Sequence, residues 1–249
     1  MEKRRFTFPA HVFLSLLVIF TYGSAEGSLI TSFDTNGLTS TTVSVPGVAP
    51  DSGITANTLV RGAGLVAASG ANQFNSNSWN SPVAPTPATD TEYLSFGFTV
   101  DANTLVTVST LMIRTRSSGT GPGTLGLYTN QDGYTAPIFT FNQAGTSGSG
   151  TGDLDSTIDL SILGPITGSS IDFRIIEIGN TQSDGVDSTG STGTFRVQNF
   201  GGSPSQPISF EGTISAVAVP EPTTGLSMIA LIGAAVLRRK RRAPVGNPA

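Results

Sequence analysis

The chain has 249 residues, of which 37 % are hydrophobic and only 12 % charged, with 30 Gly and no Cys. That length suits one all-β domain with short extensions. The missing cysteines exclude disulfide frameworks, iron–sulfur clusters and thiol nucleophiles. The net charge of −4 is an average over unlike parts. Lys3, Arg4 and Arg5 open the chain and Arg238, Arg239, Lys240, Arg241 and Arg242 close it. Between residues 26 and 219 stand only five cations, Arg61, Arg114, Arg116, Arg174 and Arg196, against fifteen carboxylates, a net −10. Such a middle repels phosphate backbones, so nucleic acid is not an expected partner.

Residues 1–25 read as a secretory signal peptide. A basic start precedes an apolar run, densest over 12–20, and small residues Gly23 and Ala25 stand at −3 and −1 of a cut before Glu26. The competing reading is an uncleaved anchor or a buried helix. Cleavage between Ala25 and Glu26 would also remove His11, the one histidine. Residues 26–218 would then form an extracytoplasmic domain without His, Cys or Lys.

Within that domain no segment sustains a 3.6-residue apolar period, while alternation recurs. Strands are expected at 29–33, 58–61, 93–100, 105–113, 125–128, 138–141, 157–162, 171–178, 194–197 and 208–217. They are rich in Val, Ile, Phe and Thr and bounded by Gly, Asn, Asp, Ser and Pro. Stretches 145–152 and 188–193 read as loops. The expectation is all-β: a jelly-roll-like antiparallel β-sandwich of about ten strands.

At the far end Val219, Pro220, Glu221 and Pro222 precede an uncharged segment, 223–237, and then the basic cluster 238–242. The fifteen-residue segment is short against the about 20 residues of a usual crossing, but flanking arginines can snorkel. The basic cluster marks a cytoplasmic stop, giving one C-terminal transmembrane helix. Two prolines hold 219–222 extended and remove two amide donors. This ordered set, 219–242, resembles the PEP-CTERM sorting signal of exported bacterial proteins, a module also labelled the ice-binding protein C-terminal domain. The resemblance implies recognition by the membrane transpeptidase exosortase, which cuts near the motif. A tail at 243–249 extends past the family's usual end.

The middle resembles the exported β-sandwich domain that accompanies such tails in planctomycete-type bacteria. The matching pieces are Leu59 to Leu65, Phe74-Asn75-Ser76 with Trp79, Tyr93 to Phe96, Arg116 to Pro122, Asn130 to Tyr134, Phe173-Arg174, and Gly193 to Phe200. Gln198 stands where that pattern favours an aspartate. The resemblance implies architecture and address: an exported surface or matrix protein, structural or adhesive, in contact with polysaccharide.

Without His, Cys or Lys the mature chain lacks the parts of a Ser-His-Asp triad, a Cys-His pair or a Schiff base. The enzyme alternative is a glycosidase with two carboxylates about 5 to 9.5 Å apart. Glu177 and Glu211, both in expected strands, are its candidate pair, against the reading that they point outward from strand faces. The binding alternative is a discrete carbohydrate module. Arg114 and Arg116 lie two apart, hence on one strand face, with 119–123 as the following turn, and Asp132 in the turn 130–133 is within reach of such an arginine. They form either a floor for sugar hydroxyls and carboxylates, with Trp79, Tyr128 or Tyr134 as stacking platform, or an Arg–Asp staple with the aromatics in the core. Asp153, Asp155 and Asp159 are calcium candidates or solvated loop acids, there being no EF-hand loop. No other cofactor is expected.

Overall fold

The computed structural model describes residues 27–79, 85–143, 152–199 and 206–217. The expected signal peptide with its Ala25–Glu26 junction, the motif 219–222, the segment 223–237, the basic cluster 238–242 and the tail lie outside the described residues. Among the described residues no helix is long and apolar enough to cross a membrane. Two single 3-10 turns, Asn130–Asp132 and Ser161–Leu163, are the helical structure there.

The described chain is all-β and its ladders are antiparallel. Its strands are β1 (Ser28–Phe33), β2 (Ser44–Val48), β3 (Ile54–Ala56), β4 (Thr58–Arg61), β5 (Val66–Ala67), β6 (Gln73–Asn77), β7 (Tyr93–Val100) and β8 (Thr104–Ser117). There follow β9 (Thr124–Thr129), β10 (Phe139–Asn142), β11 (Leu154–Asp159), β12 (Pro165–Ile166), β13 (Ser170–Glu177), β14 (Phe195–Gln198) and β15 (Ile208–Ala216). Each of the ten expected strands is found, 58–61 and 93–100 with the expected ends and the others with shifted ones. The fourth from last begins at Leu154 and stops at Asp159, whose carboxylate accepts the Ser161 N–H and starts a 3-10 turn. Five further strands, β2, β3, β5, β6 and β12, fall outside the expected set. They are two to five residues long and carry too little apolar alternation to show a period.

One sheet runs β5-β6-β14-β8-β15-β1, with β11 and β12 on the other edge of β8. The second runs β10-β9-β13-β7-β4-β2, with β3 beside β7. β2 joins them: Ser44, Val45 and Pro46 pair with β4, while Gly47 and Val48 pair with β1. Gly47 is needed at this corner, because a Cβ there would lie 2.7 Å from the Ala56 Cβ, 2.8 Å from the Asn57 carbonyl and 2.8 Å from the Phe33 ring.

Alternation explains how the two sheets face each other. In β7, Leu94, Phe96, Phe98 and Val100 point inward and Ser95, Gly97 and Thr99 outward. Phe96 and Phe98 of β7 and Phe173 of β13 meet Phe33 of β1 and Phe210 of β15, with ring centroids 5.1 to 6.0 Å apart across the sheets. These aromatic pairs add to the burial of their apolar area, which dominates the stability of such a core. The architecture is sandwich-like.

A bulge sets the polar face of the first sheet. In the β8–β15 ladder Thr110 pairs with Glu211 but Val108 with Gly212, so Ser109 is an extra residue. Side chains of β8 therefore point inward at 106 and 108, then at 111, 113, 115 and 117. Arg114 and Arg116 are left on the outer face by that shift of parity.

Candidate functional site

Polar clusters occupy the outer faces of both sheets. On the second sheet the cluster centres on Arg174 of β13. Its cross-strand neighbours are Tyr128 on β9 and Ser95 on β7. Its guanidinium lies 4.3 Å from the Tyr93 ring centre and 4.2 Å from that of Tyr134, and donates to the carbonyls of Pro87 (2.8 Å) and Ala88 (3.3 Å). Asp172, two residues away on the same face, accepts from the Tyr134 hydroxyl at 3.0 Å and the Ser95 hydroxyl at 2.9 Å. All three tyrosines beyond residue 26 thus gather around one arginine.

The turn after β9 places Tyr134 there. Thr129 caps the 3-10 turn by accepting the Gln131 N–H, and Gly133 at φ 71° ends it. Tyr134 itself sits at φ 60°, a left-handed conformation costly for a bulky residue. The bond to Asp172 and the stack on Arg174 hold it there. Burial first, then the Asp172 charge and hydrogen bond, push the Tyr134 phenol up to about 12, with Arg174 opposing. Burial, then the Asp90 charge, raises the Tyr128 phenol as well.

Asp132, expected to reach Arg114 or Arg116, does not. Its carboxylate accepts from the Thr135 hydroxyl at 2.8 Å and the Ala136 N–H at 3.1 Å, closing its own turn. Burial would raise this carboxyl, but those bonds and the Thr135 and Tyr134 N–H groups outweigh it and hold it below its ordinary value. Beside the turn lies a groove of about 460 Å³ lined by Thr129, Gln131, Pro137 and Ile138, with Ile162 and Leu163 opposite.

On the first sheet the outer face carries Arg114 and Arg116 of β8 and Arg196 of β14, with Asp153 and Asp155 at the start of β11. Arg114 and Asp155 are cross-strand partners and form a two-point ion pair, 2.7 Å at Nη2. That bond, with burial opposing, holds the Asp155 carboxyl below its ordinary range. Arg116 approaches Asp153 only to 3.6 Å, and the Gln198 side-chain amide donates to the same Asp153 oxygen. An Arg–Asp staple is therefore present, but its acids come from β11 and not from the turn at 130–133. Adjoining Arg114 is a smaller groove of about 150 Å³ between Met112, Thr157 and Pro207.

Three other expectations are corrected. Trp79 is fully buried, edge-on to Phe195 at 5.4 Å, with its indole N–H donating to the Ser76 carbonyl at 3.0 Å. It fills core and offers no stacking face. Glu177 and Glu211 do not share a cleft. Glu177 is fully buried on the inward face of β13 and accepts the Thr189 hydroxyl. Glu211 alternates with the buried Phe210, so it points outward from the other sheet. The calcium trio does not converge either: Asp153 and Asp155 meet arginines, and Asp159 accepts the Ser161 N–H. Asp155 and Asp159 are four strand residues apart, about 13 Å. Among the described residues no three acidic side chains form a metal-holding group.

Tyr128 and Tyr134 stand out in the sequence, but their partners Tyr93, Ser95, Asp172 and Arg174 do not. The outward positions of β7 and β13 carry the missed signal, Ser95 facing Arg174 across the ladder. Arg196 escapes notice in the same way, although register places it directly opposite Arg116. What fold and surface define together is a class: an antiparallel, sandwich-like all-β protein with a polar cluster on each outer face. The chain matches no protein-family model and no curated protein.

Proposed function

We propose that this is an exported bacterial surface or extracellular-matrix protein, structural or adhesive, in contact with polysaccharide. The observation that carries the proposal is the ordered C-terminal set: Pro220 and Pro222 flanking Glu221, the uncharged 223–237, then the five cations 238–242. In this reading the leader 1–25 directs export and 223–237 holds the precursor in the membrane. Exosortase recognises the extended motif and releases the domain, a jelly-roll-like sandwich, to the surface. The fold supports the arrangement physically. Ser28 pairs with Gly212, so the chain enters and leaves the sandwich on neighbouring strands. A stalk at residue 218 and a cut leader would then lie at one pole.

In the native cell, changing both Pro220 and Pro222 to Ala is expected to leave the protein in the membrane fraction with its C-terminus uncut. Mass spectrometry of both termini reads this directly. Processing as in the unmodified chain would remove the sorting proposal. The carbohydrate-active alternative has lost its candidate pair, because Glu177 is buried between the sheets and Glu211 lies on the outer face of the first sheet.

A further inference from the structure

The two outer clusters differ in how their cations are satisfied. Arg174 has two carbonyls and two tyrosine rings, and Arg61 donates to the Ser76 hydroxyl and the carbonyls of Thr42 and Asn75. Arg114 holds Asp155 at two points. Among the described residues Arg116 and Arg196 have no such partners. They stand directly opposite each other on β8 and β14, a like-charge pair that disfavours the sheet. Their one shared counter-charge there is Asp153, 3.6 Å from Arg116. The Nε atoms of both are buried without a hydrogen bond, as is that of Arg174, but unlike Arg174 neither donates a hydrogen bond from its terminal nitrogens among the described residues. Buried polar groups are almost always satisfied, so a cluster of unsatisfied donors on two guanidiniums points to an absent acceptor. Guanidinium forks pair bidentately with two oxygens of an oxyanion.

We infer that Arg116 and Arg196 form a binding site for one oxyanion, a carboxylate or sulfate ester, carried on a sugar chain. This rests on the polysaccharide-contacting reading and narrows it to an acidic polymer. The sugar chain is argued from the neighbouring groove between Met112, Thr157 and Pro207, which begins one outward position along β8, at Arg114. Outward positions on a strand repeat at about 6.7 Å, so one ring would cover the groove while its neighbour's anion reaches the arginines. The net −10 of the surrounding domain sets the ligand class further: a densely charged polyanion is repelled, and a chain with sparse anions is admitted.

The test is titration calorimetry on the full-length protein with a trisaccharide carrying a single uronate, one carrying a single sulfate ester, neutral maltotriose and inorganic sulfate. At least one acidic trisaccharide should bind, and the tighter of the two identifies the oxyanion. Arg196→Gln and Arg116→Gln should each weaken that binding at least tenfold, with Arg196→Lys between wild type and Arg196→Gln. Because Arg196→Gln relieves a repulsion, its melting temperature should match or exceed wild type, which separates lost binding from lost folding. Unchanged affinity in Arg196→Gln overturns the site, and so does failure of both acidic trisaccharides to bind. Equal binding of maltotriose overturns the oxyanion but not the polysaccharide reading. Binding of inorganic sulfate alone overturns the sugar chain. None of these outcomes bears on sorting, which the proline variants test separately.

Discussion

Tyr134 shows how a strained residue is held by chemistry around it. Its left-handed backbone is tolerated because the phenol has a carboxylate to bond and a guanidinium to cover. A phenol raised in the folded state favours the protonated form there. Its contribution is therefore complete below the unfolded value of 10.0 and is lost as pH climbs toward 12. In an ultraviolet absorbance titration one tyrosine should ionise last, near 12, and Asp172→Asn should move it back toward the ordinary range. If the last ionisation stays put in that variant, Asp172 is not its cause. Single residues are only partly legible in the sequence. The spacing of Arg114 and Arg116 sets them on one face, and the structure keeps them there. Their acids are misassigned because Asp132 is close in sequence, whereas Asp153 and Asp155 arrive through strand pairing, some forty residues on. Trp79 sits in a polar stretch, and nothing local shows that its ring turns inward onto Phe195.

At the scale of elements, strands with period-two alternation are legible and the short ones are not. β7 and β13 announce themselves because each buries every second side chain against the other sheet. β2 does not, since its sequence Ser-Val-Pro-Gly-Val serves two sheets in five residues. Pro46 has no N–H for a ladder, and Gly47 lets the chain turn where Phe33, Ala56 and Asn57 crowd in. Gly47→Ala should destabilise the fold by about 1–3 kcal/mol, the usual cost of overpacking. Urea unfolding reads the loss, and an unchanged midpoint would mean the corner can yield. Gly212 plays a similar part at the bulge, with the Thr107 carbonyl only 2.1 Å from where a Cβ would stand. The bulge at Ser109 is visible in the sequence after the fact: valines at 106 and 108 give way to Leu111 and Ile113, a skipped beat in the alternation.

Across the whole molecule, charge is segregated along the chain, with cations at both ends of the sequence and acids over the domain between. The all-β class is readable because no helical period competes with the alternation. The pairing of the first strand with the last is not, since 184 residues separate Ser28 from Gly212 and no local pattern records a ladder so distant. That pairing has a mechanical consequence. β8 starts beside the end of β15 and runs away from it, so Arg116 lies about 40 Å from the exit pole along the strand. A load applied at the arginines of a protein tethered through residue 217 would pull β8 and β15 lengthwise in opposite directions. All nine of their paired positions would resist together, in shear. A pull between the two chain ends would instead peel β1 from β15 one pair at a time. Single-molecule stretching should therefore give a higher rupture force from residue 119 to residue 217 than from 28 to 217. A protein anchored at one pole and gripping at the other would be strongest along the axis on which it is pulled.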